Sequence, residues 1–391
     1  MFNILSEEKI LFAGEAFKNL GNVTLCKGNR LTAKDLKHID ILLIRSGTRV
    51  DHALLDGTPV QFVASATVGT DHVNKAYLRA NDIPFYHAPG CNAEAVVEYV
   101  IAALLNVSAA KSERLAGKTV GIVGAGNIGG RLAKRLAALG MEILVNDPPL
   151  FGDAPDSRLP FRVVSLDELL ASADIVTTHT PLTKSGEHAT YHLLNERRLL
   201  EMKPGAWLVN ASRGAVISHA DLKKVVQTGR LGAVILDVWE DEPSIDMELM
   251  EMVDIATPHI AGHSYEGKVN GTIQIYESFI QHYKMDSTWD AQRILAPSAE
   301  DKLDLDVPNV PVSTEEGLRA LVDQMYDISA DDLLFRKSMT MSADDRTAFF
   351  LRLRKEYPRR RSFLIHELTG AGQLGREVEQ ALTLGLGIKV V

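Results

Sequence analysis

Gly124-Ala125-Gly126-Asn127-Ile128-Gly129 stands directly after the apolar run Val120-Gly121-Ile122-Val123 and ahead of a helically spaced stretch, Arg131 to Leu139. Each glycine has its own physical task. Gly124 permits the tight turn out of a strand. Gly126 lets backbone approach a pyrophosphate that faces the helix N-terminus, and Gly129 lets helix and strand pack closely. Glycine-rich turns are common, so flanking context decides the meaning. Here a strand precedes, a helix follows, and Asp147 ends the next strand at the spacing a ribose-binding acid requires. That acid suits the free hydroxyls of NAD and repels the extra phosphate of NADP. Its plainer reading is a turn residue before Pro148-Pro149.

Short β-branched runs recur around this motif at the period of a βαβ chain. From Asn3 to His87, strands and helices alternate, with candidate strands at 41–44 and 61–64. Ala93 to Ala110 reads as a long apolar helix without Gly or Pro. A second block runs from Gly117 to about Gly262, with strands expected at 119–123, 142–146, 174–177, 206–209, 234–236 and 254–256. Regular alternation of this kind predicts right-handed crossovers and a doubly wound parallel sheet. A helix over 265–284 then returns the chain to its first domain, which makes that domain discontinuous and leaves a cleft between the blocks.

Residues 286–311 read as a linker rich in Pro, Asp and Ser. Beyond it, Ser313-Thr314-Glu315-Glu316 matches a capping box, and Leu318, Leu321, Val322 and Met325 follow at helical spacing. Further elements are expected as a helix over 343–357, a strand near Phe363, a helix over 374–384 and a strand over 388–391. So small a unit needs something to dock on, and a second copy of the chain is the first expectation. The triplet Arg359-Arg360-Arg361 reads as a solvated helix end.

Ligands in open α/β sheets sit outside the carboxyl ends of the strands. Three titratable or charged residues follow such ends: Arg213, Glu242 and His259. Hydride leaves a carbinol carbon only as the hydroxyl proton leaves, and histidine is the natural base near neutral pH. Glu242 would fix the tautomer of His259 and favour its charged form. Arg213 offers a planar fork for a substrate carboxylate. Each alone has a dull reading, as an exposed acid, a satisfied histidine and a surface-paired arginine. Thr180 and Asp237, also at strand ends, are expected to contact the cofactor ribose or phosphate and the nicotinamide carboxamide; a turn cap is the plainer role for Asp237. His179 is expected to be structural.

Net charge is −9, from 42 Lys and Arg against 51 Asp and Glu, which disfavours a nucleic-acid backbone as partner. Cys26 and Cys91 lack metal-ligand spacing and imply no disulfide framework, so no metal is expected. With no leader pattern and no uninterrupted apolar run near ~18 residues, the expectation is a cytoplasmic protein without a membrane partner.

Taken together, the glycine motif, Asn210-Ala211-Ser212-Arg213-Gly214, Asp237-Val238-Trp239-Glu240-Asp241-Glu242-Pro243 and Pro258-His259-Ile260-Ala261-Gly262 resemble the D-2-hydroxyacid dehydrogenase family. Ile44-Arg45-Ser46, residues 66–72, Ala88-Pro89-Gly90-Cys91-Asn92-Ala93, Glu98-Tyr99, Asp147-Pro148-Pro149 and Glu266-Gly267-Lys268 narrow the resemblance to a branch acting on a phosphorylated substrate. It implies NAD-dependent oxidation of 4-phospho-D-erythronate to 2-oxo-3-hydroxy-4-phosphobutanoate, in the route to vitamin B6. It further implies Arg213, Glu242 and His259 as active-site residues, with His259 the proton acceptor. Asn127, Ile128, Asp147, Thr180, Ala211, Ser212, Asp237 and Gly262, with the glycines and Arg213, become cofactor contacts; Ser46 and Thr67 become substrate contacts. His263 occupies a position where this branch usually has a substrate-binding Tyr.

The terminal phosphate of such a substrate needs local positive charge in an acidic protein. Arg45 is expected to meet it, with help from Arg49 or Lys268. The resemblance implies a Rossmann-type NAD-binding domain at 94–262, a flavodoxin-like substrate domain at 1–93 plus 263–285, and a small α+β dimerisation domain at 286–391, hence a homodimer. Two other readings stay open at this point. One is a family member acting on phosphoglycerate or an unphosphorylated hydroxy acid; the other is a non-enzymatic NAD-sensing adaptor.

Overall fold

A computed structural model describes residues 1–28, 31–152, 161–296, 304–305, 311–370, 372 and 374–391. The chain divides into two compact units, Met1–Asn92 with Ser264–Ala299 and Ala93–His263 with Glu300–Val391.

The first unit is built on five parallel strands, β1 (Phe2–Glu7), β2 (Gly21–Cys26), β3 (Ile41–Ile44), β4 (Phe62–Ser65) and β5 (Phe85–His87). Their order, β2-β1-β3-β4-β5, is the flavodoxin-type doubly wound arrangement. Every residue of β3 and β4 is buried, which is why both read as unbroken apolar runs. The helix Tyr265–Tyr283 belongs to this unit, where Tyr276 and Phe279 meet Phe17 and Phe279 meets Phe62 edge-on at 5.2–5.5 Å. The expected linker is partly structured: Trp289 packs on Tyr276, and a short helix covers Gln292–Leu295.

The second unit carries seven parallel strands, β6 (Thr119–Val123), β7 (Glu142–Asn146), β8 (Arg162–Val163), β9 (Ile175–Thr178), β10 (Trp207–Asn210), β11 (Ala233–Leu236) and β12 (Ile255–Ala256). Their order, β12-β11-β10-β9-β6-β7-β8, is that of a Rossmann sheet, and it reverses between β6 and β9. The helix Ala93–Lys111 packs on this sheet. By length and composition it is apolar enough to cross a membrane, although Glu94 and Glu98 interrupt the run; 78% of its most apolar window is buried inside the protein, as a core helix is.

The last hundred residues dock on their own chain. Leu318, Leu321 and Val322 from the helix Glu315–Met325, together with Phe363, Leu382, Leu386 and Ile388, share one core with the helix Ala93–Lys111. Thr314, not Ser313, caps that helix, accepting from Gly317 N, while Glu315 accepts from the backbone of Leu115 and Ala116. The segment adds the helices Ile328–Arg336 and Ala343–Lys355 and a small parallel sheet of β13 (Asp304–Leu305), β14 (Glu367–Leu368) and β15 (Lys389–Val390). Phe363 starts a 3-10 turn, with β14 beyond it, and the helix expected over 374–384 runs as Arg376–Gln380 followed by a π-helical stretch to Leu386.

The arginine triplet corrects a sequence expectation. Arg360 and Arg361 are only 6% and 7% exposed, so they are core residues and not a solvated end. The Arg360 guanidinium lies 4.5 Å from the centre of the Tyr326 ring and donates to two main-chain carbonyls. Nearby, Glu98 is fully buried and accepts from Ser362 Oγ at 2.6 Å and Phe363 N at 2.7 Å. Burial raises its carboxyl from 4.5 to about 7, against the opposing pull of Arg360 and these two hydrogen bonds. The folded state therefore holds this proton more tightly than the unfolded chain. The associated stability is present in acid and is lost as pH rises between about 4.5 and about 7. Wild-type melting temperature is expected to fall relative to Glu98→Gln between pH 5 and pH 8, by the equivalent of about 3 kcal/mol at most. Calorimetry showing a constant gap between the two proteins would contradict this.

Candidate active site

Parallel pairing places the ends of β7, β6, β9, β10, β11 and β12 side by side in that order. The expected site residues of the second unit follow these ends. Asp147 comes after β7, the glycine loop after β6, and Thr180 after β9. Ala211, Ser212 and Arg213 follow β10; Asp237 and Glu242 follow β11; His259, Gly262 and His263 follow β12.

The glycine loop is sterically explicit. Gly124 has φ +92°, and a Cβ there would lie 2.7 Å from His179 O. A Cβ on Gly129 would lie 1.9 Å from Gly124 O, whereas one on Gly126 would meet nothing within 4 Å. Gly126 and Asn127 are exposed, and Ile128 leads into the helix Gly129–Ala138. Asp147 accepts from Ala125 N at 2.7 Å and caps the Pro148–Phe151 turn through Leu150 N, so the turn-cap reading describes one of its contacts. Thr180 stands beside Gly124, and its Oγ1 is buried with no hydrogen-bond partner among the described residues. An orphaned hydroxyl next to an open glycine face at a strand-order reversal fits a dinucleotide. His179 pairs with Thr177 Oγ1 at 2.9 Å, and burial drives its pKa down to about 3, so it is neutral and structural.

At the end of β10, Thr178 Oγ1 and Ser212 Oγ both donate to Asn210 Oδ1 at 2.9 Å. Asn210 Nδ2 in turn donates to Arg213 O at 3.0 Å, and Arg213 Nη1 donates to Ser212 O at 2.8 Å. The next residue must be glycine: a Cβ on Gly214 would lie 2.0 Å from the Trp239 carbonyl carbon. The Arg213 loop is thereby seated on the loop that leads to Glu242.

Asp237 is 1% exposed and accepts from Thr257 Oγ1 and Ile260 N at 2.7 Å and from Ala261 N at 2.9 Å. Burial raises its carboxyl, while His259 and these donors oppose the shift. The turn it organises holds His259 at φ +56°, a strained conformation for a non-glycine residue, with His259 N donating to Asp237 O at 2.7 Å. Nδ1 of His259 lies 2.5 Å from Glu242 Oε1. Burial works to raise the Glu242 carboxyl, but His259 and Arg354 outweigh it and the group stays below the usual carboxylate range. The ionised Glu242 carboxylate accepts a hydrogen bond from Nδ1–H, which leaves the Nε2 lone pair as the basic atom of the ring.

Arg45, Ser46 and Thr67 belong to the first unit, after β3 and β4. Arg45 N donates to Glu7 Oε1 at 2.9 Å, and Thr48 Oγ1 meets the same oxygen at 2.6 Å. Ser46 is exposed, and Thr67 Oγ1 sits 2.8 Å from Ser65 Oγ. Arg49 pairs with Asp51 while 85% exposed, as a surface charge does. Lys268 lies on the helix Tyr265–Tyr283, and the His263 ring meets Tyr357 edge-on at 5.7 Å.

Sequence reasoning missed several supporting residues. Glu7 holds the Arg45–Thr48 loop, and Glu240 receives His192 Nε2 at 2.6 Å and His219 N at 2.7 Å. Tyr99 meets Thr257 Oγ1 at 2.7 Å. Of these, Tyr99 left a signal in the Glu98-Tyr99 pair and Glu240 in the run Asp237 to Pro243, whereas Glu7 left none.

The profile described as D-isomer specific 2-hydroxyacid dehydrogenase, NAD binding domain, matches residues 102–261, and a domain of unknown function matches residues 307–385. The erythronate-4-phosphate dehydrogenase of Salinibacter ruber is 45% identical over 387 residues, covering 99% of this chain and 98% of that one. The enzyme of the same name from Pseudomonas aeruginosa is 41% identical over 390 residues, covering 99% and 100%. D-lactate dehydrogenase of Aquifex aeolicus, solved with NAD and lactic acid, superposes with a TM-score of 0.61 at 25% identity over 72% of this chain and 96% of that one. NAD is the cofactor that this domain binds. Such agreement along the whole length means that the chain belongs to the erythronate-4-phosphate dehydrogenases of the D-isomer specific 2-hydroxyacid dehydrogenase family.

Proposed function

We propose that the protein oxidises 4-phospho-D-erythronate to 2-oxo-3-hydroxy-4-phosphobutanoate, in the route to vitamin B6. One observation carries the reading: Glu242 and His259 meet at 2.5 Å on the edge that also bears Arg213. When bound, NAD would supply the two-electron acceptor. Arg213 holds the substrate carboxylate and polarises the adjacent oxygen. His259 Nε2 takes the C2 hydroxyl proton as the C2 hydride departs, so that a carbonyl forms, and Glu242 stabilises the resulting imidazolium. Asn127, Ile128, Thr180, Ala211, Ser212 and Gly262 would hold the cofactor. Asp147 would accept from its ribose hydroxyls, and Asp237 from the carboxamide. Arg45 takes the terminal phosphate; Ser46, Thr67 and His263 complete substrate binding, with His263 in place of Tyr.

The two cysteines stand unbridged, which suits the reducing cytoplasm proposed here. Leu333, Leu351 and Leu384 are 50–65% exposed in the C-terminal segment, and they support a second copy as the partner of that surface. Sedimentation is expected to return about twice 42.8 kDa; a monomer mass at micromolar concentration would oppose dimerisation.

His259→Ala is expected to lower kcat by at least roughly a hundredfold while NADH binding, followed by fluorescence, stays near wild type. Retained turnover would remove His259 from the chemistry. Arg45→Met is expected to raise KM for the phosphorylated acid at least about tenfold and leave KM for NAD nearly unchanged. A similar rise in both would count against a phosphate contact. Parallel assays with 3-phosphoglycerate and lactate separate this substrate from others of the family.

A further inference from the structure

The C-terminal segment reaches the loop that carries His259. Arg360 is 6% exposed, and its Nη2 donates to Ala261 O at 2.6 Å and to Ala95 O at 2.9 Å. Ala261 lies two residues after His259, and its own N–H is held by Asp237 Oδ2. The peptide units around Ala261 are therefore gripped from both directions, by a carboxylate of the Rossmann sheet and by a guanidinium of the last segment. Helix Ile328–Arg336 fastens the strand that feeds this loop. Asp332 Oδ1 accepts from Ala256 N at 2.7 Å, while Arg336 donates to Met250 O and Val253 O, both at 2.8 Å.

Arg360 is itself placed with care. Its guanidinium stacks over Tyr326, and the phenols of Tyr326 and Tyr357 both donate to Asp331 Oδ2, at 2.9 and 2.7 Å. Glu98 anchors the following residues through Ser362 Oγ and Phe363 N. Its neighbour Tyr99 meets Thr257 Oγ1, which donates to Asp237. The Glu98-Tyr99 pair thus joins two structures that are distant in sequence, the docked C-terminal segment and the turn bearing His259.

We infer that Arg360 is a positioning residue for proton transfer: it fixes the Ala261 peptide, and through it the strained backbone of His259, within the same chain. The C-terminal segment then serves turnover directly, apart from any pairing of two copies. The inference rests on the proposed role of His259. A fixed imidazole matters because a displacement of about 1 Å at a reacting group costs roughly a hundredfold in rate.

The test compares wild type with Arg360→Met and Arg360→Lys in the full-length protein. Five quantities are followed: kcat, its isotope effect with C2-deuterated substrate, KM for 4-phosphoerythronate, NADH affinity, and hydrogen exchange of the peptides spanning 257–263 and 41–44. Arg360→Met is expected to lower kcat roughly ten- to a hundredfold. NADH affinity should stay within about threefold, and exchange should quicken at 257–263 but not at 41–44. Arg360→Lys keeps the buried charge and a donor, and it is expected to recover part of kcat and part of the protection. The C2-deuterated substrate should show a larger isotope effect on kcat in Arg360→Met, because impaired proton transfer makes the chemical step limiting. Unchanged kcat and unchanged exchange in a folded variant would overturn the inference, as would equal loosening at 257–263 and 41–44. If Arg360→Met fails to fold, Arg360→Lys decides by the same criteria. If wild type is inactive on this acid, the functional reading falls alone, and exchange at 257–263 still tests the clamp.

Discussion

Asp237 is the fixed point of the chemistry. A carboxylate with 1% exposure is costly to bury unless its oxygens are occupied, and three donors occupy them, all from residues 257–261. The arrangement uses one buried charge to set a turn that the chain would not otherwise adopt. His259 sits at φ +56°, where a non-glycine residue pays steric strain, and hydrogen bonds donated to Asp237 by its own N–H and that of Ile260 hold the conformation. The imidazole direction is then decided by backbone, with Glu242 completing its orientation at Nδ1.

Parallel strand order explains why residues so far apart in sequence come to one edge of the sheet. Asn210 pairs with Leu236, and Leu236 with Ala256, so the loops that follow leave the sheet at the same level. Small residues bring the loops into contact: Gly214 allows the Arg213 turn to touch the backbone of Trp239, and Gly124 allows the first turn to touch His179. Hydrogen bonds then fix each loop internally, as Asn210 does for residues 212–213.

Much of this was legible in the chain. The strands at 119–123 and 142–146 appear where the apolar runs place them, because a strand buried on both faces cannot hide its composition. The expected strand over 174–177 runs as Ile175–Thr178, and Asp174 just ahead of it ties the strand starts together, its N–H donating to Thr119 O and its carboxylate accepting from Thr119 N and Lys203 Nζ. Two-residue strands such as β8 and β14 carry no periodicity to read, whereas β15 falls inside the apolar end expected as a strand over 388–391. The helix Ile328–Arg336 escaped notice because exposed Leu333 and Leu334 follow Asp331 and Asp332, which blurs the amphipathic pattern. Arg360 was misread for a different reason: Ala261 lies 99 positions away, and local sequence cannot announce so distant an acceptor.

Strand β12 is only two residues long and stands at the border of its sheet. A border strand normally offers its main-chain groups to any extended peptide that passes. Asp332 occupies the Ala256 N–H, and Arg336 occupies carbonyls just upstream. The C-terminal segment thereby shields the outermost rung of the Rossmann sheet, and removing that segment would expose a template for strand addition and self-aggregation.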